Sequence, residues 1–311
     1  MPIIETINLT KRYGDLVALN NLSMAIEEGD CFGFIGPNGA GKTTTIKILA
    51  TLLRPTWGEA RIAGLSVGPV SARQVRSLIG YVPDYFGSYP DMCVREYLEF
   101  FAAAYSIHGA KRRQVCDDVL ALTDLSYKVE DEVNGLSRGM KQRLSLARVL
   151  LHDPRVLLLD EPASGLDPRA RIEIRELLKE LHRLGKTILI SSHILLELAD
   201  LCNKVGIIER GQLVFTGTVT EILEKARVGR VVHVAVAERQ PSALELIKQL
   251  PGVASAQAQD HDIRVALDGP QADPSLIARR LVEAGYRLIR LQEEQVNLET
   301  AFMRLTQGLV Q

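Results

Sequence analysis

A glycine-rich segment, residues 36–44, constrains the fold of this 311-residue chain more than any other feature. It fits the pattern G-x-x-x-x-G-K-[ST], with the apolar segment Cys31–Ile35 before it and apolar residues at helical spacing after it. A strand that runs through such a loop into a helix forms a phosphate cradle, because backbone N–H groups turn inward and the helix dipole adds positive charge. In this motif Lys42 reaches the β- and γ-phosphates, and the Thr43 hydroxyl holds Mg²⁺.

Composition narrows the class of protein. Apolar residues make up 46% and charged residues 24% of the chain, which is typical of a folded globular protein. The formal net charge is −1, so no overall field attracts nucleic acid or anionic lipid. No apolar run approaches the roughly 18 residues of a membrane span, and we expect the chain not to cross a membrane. The cysteines lack metal-like spacing and suit a reducing compartment, so we expect a cytoplasmic protein; they are Cys31, Cys93, Cys116 and Cys202.

The alternation of apolar strands and amphipathic helices predicts an α/β fold with a mainly parallel sheet and an antiparallel edge. Predicted strands cover residues 3–9, 16–26, 31–35, 60–63, 79–82, 155–160, 187–190, 205–209 and 212–215. We expect a turn at residues 11–15, a break in the chain at 55–59 and a helix at 194–201. Periodic apolar residues from about Val94 onward predict a helical insertion, which we assign to a subdomain at about residues 90–145.

The sequence pattern changes near Thr220, which predicts a domain boundary, with one domain at 1–219 and a second at 220–311. In the second domain the predicted elements follow the order β-α-β-β-α-β, which indicates a small α+β module of ferredoxin-like type. Its last predicted helix covers residues 298–308. The module carries no Gly-rich loop and no ligand-spaced His or Cys residues. A regulatory or interaction role and a purely stabilising role both stay open.

Further motifs follow the glycine loop in one order, and together they resemble the nucleotide-binding subunit of an ABC transporter over roughly residues 3–218. The form of the signature described next is often seen in bacterial exporters of the drug-resistance and ABC-2 kind. The loop is similar to Walker A, residues 156–160 resemble Walker B, and Leu136-Ser-Arg-Gly-Met140 resembles the LSGGQ signature. Residues 164–167 are similar to the D-loop, His193 lies where the family has its switch histidine, and Tyr13 matches the aromatic that stacks on adenine.

The resemblance implies ATP and Mg²⁺ as cofactors and assigns roles to single residues. Glu161 is the expected general base, Asp160 would act on Mg²⁺ through water, and His193 would contact the γ-phosphate. The expected catalytic residues are Lys42, Glu161 and His193. The expected metal residues are Thr43, Asp84 and Asp160. The expected nucleotide-binding residues are Tyr13, Gly36, Pro37, Asn38, Gly39, Ala40, Gly41, Lys42, Thr43, Thr44, Asp84, Ser137 and Gly139.

Three positions depart from the family pattern. Arg138 and Met140 replace the first glycine and the last residue of LSGGQ, a variation common in the resembled subfamily. Asp84 stands where the family usually has Gln, and its carboxylate can bind Mg²⁺ but cannot donate a hydrogen bond.

In the family, ATP joins two cassettes head to tail, and each signature covers the γ-phosphate on the partner's loop. This chain has one copy of each motif, so the resemblance implies a second copy of the chain as partner. It also implies a separate transmembrane permease, with the chain on the inner face of the cell membrane. Multidrug or antibiotic resistance is the kind of transport that the resembled subfamily performs.

The expected function is therefore an ATP-hydrolysing subunit of an exporter. The alternative is a soluble ABC ATPase that acts on ribosomes or DNA, but such members carry two cassettes or long insertions, and the near-neutral charge does not favour nucleic acid. A third interpretation is a nucleotide-gated regulator with little turnover, which Glu161 argues against.

Overall fold

The computed structural model describes residues 2–85, 87, 91–192, 198, 200–226, 231–238, 240–259, 262–268 and 273–294. The chain divides into two compact units between Ile222 and Leu223. The predicted helices at 194–201 and 298–308 lie wholly or largely outside these residues. No helix in the described part is long and apolar enough to cross a membrane.

The strands of the first unit form two sheets. They are β1 (Ile4–Tyr13), β2 (Leu16–Ile26), β3 (Cys31–Ile35), β4 (Trp57–Ile62), β5 (Leu65–Ser66), β6 (Ile79–Val82), β7 (Val156–Asp160), β8 (Thr187–Ser192), β9 (Lys204–Glu209) and β10 (Gln212–Thr218). One sheet is antiparallel, in the order β2-β1-β4-β5. The other has the order β10-β9-β3-β8-β7-β6 and is parallel except for β10 at its edge. The predicted α/β fold with an antiparallel edge is confirmed.

The helices lie around and between these sheets. They are α1 (Lys42–Leu49), α2 (Ala72–Leu78), α3 (Val94–Ala104), α4 (Gly109–Leu122), α5 (Arg138–Leu150), α6 (Pro168–Arg183) and α7 (Val219–Ala226). Apolar side chains of α1 join those of both sheets in one buried core. Every residue of β7 is buried, as expected for a central parallel strand that is covered on both faces. This core fixes the carboxyl ends of β3 and β7, which lie on either side of β8, close to the start of α1.

The structure corrects three details of the predicted elements. Residues 11–13 are not part of a turn, because β1 continues to Tyr13, where it pairs with Leu16. Only residues 14 and 15 connect the two strands. The predicted break at 55–59 is also too long, since β4 begins at Trp57 and pairs with Thr10. Helix α2 was not predicted, because it is short and buries a single side chain, Val75.

The second unit has the predicted order of elements. They are β11 (Val231–Val236), α8 (Gln240–Lys248), β12 (Val253–Gln259), β13 (Asp262–Leu267), α9 (Ser275–Glu283) and β14 (Leu288–Glu293). The sheet order β12-β13-β11-β14, with antiparallel neighbours, is that of a ferredoxin-like module. Its apolar core lies between one face of this sheet and the two helices.

Candidate functional site

The glycine loop connects β3 directly to α1, and its backbone leaves no room for side chains at two positions. A Cβ atom on Gly36 would lie 2.4 Å from the carbonyl oxygen of Ile208. Gly41 has a φ of 109°, and a Cβ there would lie 2.7 Å from the carbonyl oxygen of Ala18. Glycine is therefore required at both ends of the loop. The result is a tight turn that ends at the N-terminus of α1, where backbone N–H groups favour an anion.

Lys42, the first residue of α1, is folded back over this loop. Its side chain is buried, and its ammonium donates to the carbonyl oxygens of Gly36 at 2.6 Å and Pro37 at 3.2 Å. The same nitrogen lies 3.7 Å from Oε1 of Glu161. Burial lowers the pKa of Lys42, while the negative charges of Glu161 and Asp160 oppose that shift. The loop therefore holds a partly desolvated cation beside the anion cradle.

Asp160 ends β7 and is hydrogen-bonded on one side only. Its Oδ1 accepts from the hydroxyl of Thr43 at 3.0 Å and from the hydroxyl of Ser191 at 2.8 Å. Its Oδ2 is buried and has no hydrogen-bond partner among the residues that the structure describes. Burial raises the pKa of Asp160; the two hydroxyl donors oppose this shift, and the carboxylates of Asp84 and Glu161 add to it. The carboxyl group thus has an open coordination position.

Glu161 follows Asp160 in an uncommon backbone conformation. Its φ is 50°, in the left-handed region that few residues other than glycine adopt. Its N–H donates to the Ser191 hydroxyl at 3.0 Å and to the Ser191 carbonyl at 3.2 Å. These contacts turn the chain sharply at the strand end, and the Glu161 side chain faces the cleft described next.

A cleft of about 330 Å³ lies in front of the loop. Its lining contains most of the residues that the sequence predicted for nucleotide and metal. The lining residues are Pro37, Asn38, Gly39, Ala40, Gly41, Lys42, Thr43, Thr44, Asp84, Glu161 and Ser164. The glycine loop, the acid after β7 and the acid after β6 therefore meet in one place.

Four of the predicted nucleotide-binding residues are not among those that line this cleft. Gly36 lies at the start of the loop, where its carbonyl oxygen accepts from the Lys42 ammonium. Tyr13 lies at the end of β1, is 48% exposed and has the Lys11 ammonium 5.2 Å from its ring centre. Ser137 caps α5 as predicted, since its hydroxyl accepts from the N–H of Met140 at 3.3 Å. Gly139, in the first turn of α5, packs so closely on α6 that a Cβ would lie 2.8 Å from that of Ala170. His193 lies outside the described residues.

Ser191 is a site residue that was not predicted from the sequence, and Ser164 was predicted only as part of the segment similar to the D-loop. Ser191 donates to Asp160 and accepts from the backbone of Glu161, so it positions both acids. The sequence signal was a pair of serines at the end of the apolar strand β8. Ser164 lines the cleft and donates its backbone N–H to the carbonyl oxygen of Glu161 at 3.0 Å.

The donor set of the cleft fits Mg²⁺. Asp160 has its unpartnered Oδ2, Thr43 contributes a hydroxyl oxygen, and Asp84 lines the same cleft. Within the described part of the chain, no group of three or more His, Cys, Asp or Glu side chains could hold a metal. Two carboxylates and a hydroxyl suit Mg²⁺, which proteins commonly bind through one or two carboxylates while phosphate oxygens of the substrate complete the shell.

This chain is similar to known proteins in both sequence and fold. Residues 19–164 match the ABC transporter family. The chain is 38% identical over 304 residues to the Nod factor export ATP-binding protein I of Burkholderia orbicola, which covers 97% of this chain and 96% of that protein. It is 29% identical over 307 residues to the linearmycin resistance ATP-binding protein LnrL of Bacillus subtilis, with 98% of each chain covered.

A solved structure shares the fold. The dimeric structure of MJ0796, a bacterial ABC transporter cassette, superimposes with a TM-score of 0.63 and 28% identity. The match covers 69% of this chain and 98% of that one.

Proposed function

The chain belongs to the ATP-binding proteins of ABC transporters, and we propose that it powers an exporter by ATP-driven dimerisation with a second copy of itself. As a family member it binds nucleotide and is an ATP hydrolase. The observation that carries the proposal is the cleft at the glycine loop, which Lys42 and Glu161 line as an ion pair, with Asp160 hydrogen-bonded to the lining residue Thr43. A buried cation, an open carboxylate and an adjacent second acid are the groups that phosphoryl transfer to water requires.

The roles of the residues follow from their positions. The backbone N–H groups of the loop and the start of α1 bind the phosphates, and Lys42 exchanges its contact with Glu161 for the γ-phosphate. Glu161 is then free to accept a proton from the attacking water, and its backbone contacts to Ser191 hold the chain turn that aims it. Tyr13 contributes an aromatic surface for adenine, and His193 is proposed to contact the γ-phosphate.

Mg²⁺ bound with ATP would neutralise charge on the phosphates. Thr43, Asp84 and Asp160 would hold it, because their oxygen atoms suit a hard cation. Ser191 and Thr43 both donate to the same oxygen of Asp160, which fixes the carboxyl group and leaves its other oxygen open.

A second cassette is proposed because of the signature segment. Ser137 is exposed at the N-terminus of α5, a second anion-binding helix end, and it does not line the cleft of its own chain. In a head-to-tail dimer this end covers the γ-phosphate bound by the partner. The dimeric cassette structure among the relatives supports this arrangement.

Export and a separate permease are proposed from the named relatives, which serve Nod factor export and linearmycin resistance. Because they match over almost their whole length, the subunit organisation is expected to be shared. The chain would then lie on the inner face of the cell membrane, bound to a membrane-spanning partner.

The dimer is tested with Glu161→Gln, which keeps the side-chain size but removes the proton acceptor. We expect hydrolysis to slow by at least about 10²-fold, the lower end of general-base effects. ATP binding should persist, so light scattering should show a dimer with ATP and a monomer without it. Glu176→Gln, an exposed acid on α6 outside the cleft, is the matched control and should behave as the unchanged protein. A monomer under both conditions would count against the dimer.

The permease is tested by capture of the tagged chain from its native cells in mild detergent. Mass spectrometry should identify a membrane-spanning protein in stoichiometric amount. Recovery of the chain with ribosomes or DNA instead would overturn the exporter assignment.

A further inference from the structure

The guanidinium group of Arg138 occupies the space that a side chain on Gly165 would need. A Cβ atom built on Gly165 would lie 2.3 Å from Nη1, 2.4 Å from Cζ and 2.5 Å from Nη2 of this arginine. The three nearly equal distances indicate that the plane of the group faces the backbone. Gly165 has a φ of 67°, so both its conformation and the covering arginine require glycine.

Arg138 belongs to the signature segment, and Gly165 belongs to the segment that follows the general base. Arg138 is the first residue of α5 and comes directly after the helix cap Ser137. Gly165 comes directly after Ser164, a residue of the nucleotide cleft. The contact therefore joins two functional segments that are 27 positions apart in one chain.

The segment 164–167, here called the D-loop, is held at both ends. At its start, the N–H of Ser164 donates to the carbonyl oxygen of Glu161 at 3.0 Å. At its end, Asp167 caps α6, and Nε of Arg171 donates to the carbonyl oxygen of Leu166 at 2.9 Å. The guanidinium group of Arg138 covers Gly165, in the middle of the D-loop. A displacement of the D-loop at Gly165 would therefore pull on the backbone of Glu161.

Packing on Gly165 is what holds Arg138 in this position. Among the residues that the structure describes, Arg138 forms no ion pair or hydrogen bond, although it is exposed and charged. The LSGGQ form of the signature has glycine at this position, and such a chain would leave Gly165 uncovered. The contact is thus specific to signatures with arginine.

We propose that Arg138 is a positioning residue that acts on Glu161 of its own chain through Gly165 and Ser164. This inference rests on the proposed head-to-tail dimer, in which the signature of one chain faces the nucleotide of the other. Arg138 then links the two ATP sites: the partner's γ-phosphate sets the position of α5, and Arg138 passes that position to the D-loop and the general base of its own site.

The contact itself is tested in the full chain without nucleotide, where no dimer is needed. Hydrogen exchange of the D-loop amides is compared between the unchanged chain, Arg138→Ala and Arg169→Ala. Arg169 is the control because it is an exposed arginine of the neighbouring α6, outside the cleft. We expect the amides of Ser164 and Leu166 to exchange between about twofold and thirtyfold faster in Arg138→Ala only. Equal exchange in all three proteins would overturn the proposal.

Mixed dimers then distinguish an effect of Arg138 on the ATP site of its own chain from an effect on the partner's ATP site. In the first mixture, a chain with Arg138→Ala and intact Glu161 pairs with a Glu161→Gln chain whose Arg138 is intact. In the second, an unchanged chain pairs with a chain that carries both Glu161→Gln and Arg138→Ala. Each dimer has one hydrolysing site, and differently tagged chains allow its purification. The measured quantity is the rate of the first turnover.

The reference is a dimer of an unchanged chain and a Glu161→Gln chain. We expect the first turnover in the first mixture to be about twofold to thirtyfold slower than in this reference, and that in the second mixture to equal it. A slower first turnover in the second mixture alone would mean that Arg138 acts on the partner's nucleotide, and would overturn the proposal. Failure of the reference pair to dimerise with ATP would instead contradict the proposed dimer, and hydrogen exchange alone would then decide whether Arg138 holds the D-loop.

A positioning role also predicts which kinetic quantity changes. In Arg138→Ala the maximal rate of ATP hydrolysis should fall, while the Kd for ATP stays the same, because Lys42 and the glycine loop are unchanged. Arg138→Lys keeps the charge but lacks the planar group, and it should behave as Arg138→Ala does. Full activity of Arg138→Lys would show that charge alone is sufficient, contrary to the packing role.

Discussion

The ammonium nitrogen of Lys42 lies 3.7 Å from Oε1 of Glu161, so the two groups that we propose to flank the site of hydrolysis form an ion pair. Both are largely withdrawn from solvent, with 6% and 16% of their side-chain surfaces exposed. Arrival of the γ-phosphate would give Lys42 a stronger anionic partner and release the acid. If Glu161 is the general base, as proposed, this ion pair would hold it until ATP binds.

Replacement of Lys42 by alanine should weaken ATP binding. The lost hydrogen bonds to charged phosphates are worth enough to raise the Kd by about tenfold to hundredfold. Titration with a fluorescent ATP analogue measures this effect. Lys47→Ala, an exposed lysine of the same helix, should leave the Kd unchanged. Unaltered affinity in Lys42→Ala would refute the phosphate-binding role of the loop.

Asp84 should set the magnesium dependence of hydrolysis, since it lines the cleft where the family usually has Gln. Asp84→Asn should require more Mg²⁺ for half-maximal activity, and Asp84→Ala should require more still, because a neutral amide and then no ligand replace the carboxylate. Asp118→Ala, at an exposed position on α4, is the control. If Asp84 instead transmits strain to the helical insertion, the Mg²⁺ curves of all variants would superimpose.

Asp160 should make the nucleotide-free protein less stable at neutral pH than at acid pH. Its pKa is higher in the folded than in the unfolded chain, where it is near 3.8, because the folded chain buries the carboxyl group. The stabilisation from the bound proton is therefore complete below pH 3.8 and is lost as the pH rises through the raised pKa.

Asp160→Asn removes that charge and keeps an oxygen that can accept from Ser191. We expect its unfolding temperature at pH 7 to exceed that of the unchanged protein, by about 2–4 °C for each kcal/mol recovered. The difference should shrink as the pH falls toward 4. Thermal unfolding without nucleotide or Mg²⁺ measures it, with Asp118→Asn as control. A difference that is the same at every pH would exclude titration of Asp160 as its cause.

The first unit should bind ATP without the second. Every residue that lines the cleft precedes Gly165, and the buried core of the first unit reaches Ile222. A chain that ends at Ala226, after α7, should therefore fold and keep the ATP affinity of the full chain. Equilibrium binding checks this, and folding is confirmed by circular dichroism. A folded product that has lost ATP binding would mean that the ferredoxin-like module contributes to the site.

If that module has a regulatory or interaction role, the shortened chain should recover less permease in the capture experiment. Equal recovery would leave the module with a stabilising role only.

The parts of the site that were predictable lie within continuous segments of sequence. Gly36, Lys42 and Thr43 belong to one loop, and Asp160 and Glu161 are adjacent at the end of one apolar strand. Their spacing along the chain is itself the signal, because a strand that leads into a helix fixes where each residue must lie. The ferredoxin-like order of the second unit was predictable for the same reason.

The parts that were not predictable depend on contacts between distant segments. Ser191 reaches Asp160 across 31 positions, through the parallel pairing of β7 and β8. The extension of β1 to Tyr13 depends on its pairing with Leu16, which overrides the polar, turn-like composition of that stretch. The contact between Arg138 and Gly165 likewise has no local signature, since an arginine at a helix start is usually solvated.

The left-handed backbone of Glu161 has a consequence for the evolution of this cassette. A glycine there would relieve about 1–2 kcal/mol of conformational strain, so folding alone favours loss of the acid. With Glu161 as the proposed general base, hydrolysis is the reason to retain glutamate at a place where the backbone would prefer glycine. A duplicated copy released from that need should lose this side chain early, and would drift toward a more stable protein that still binds nucleotide but no longer turns it over.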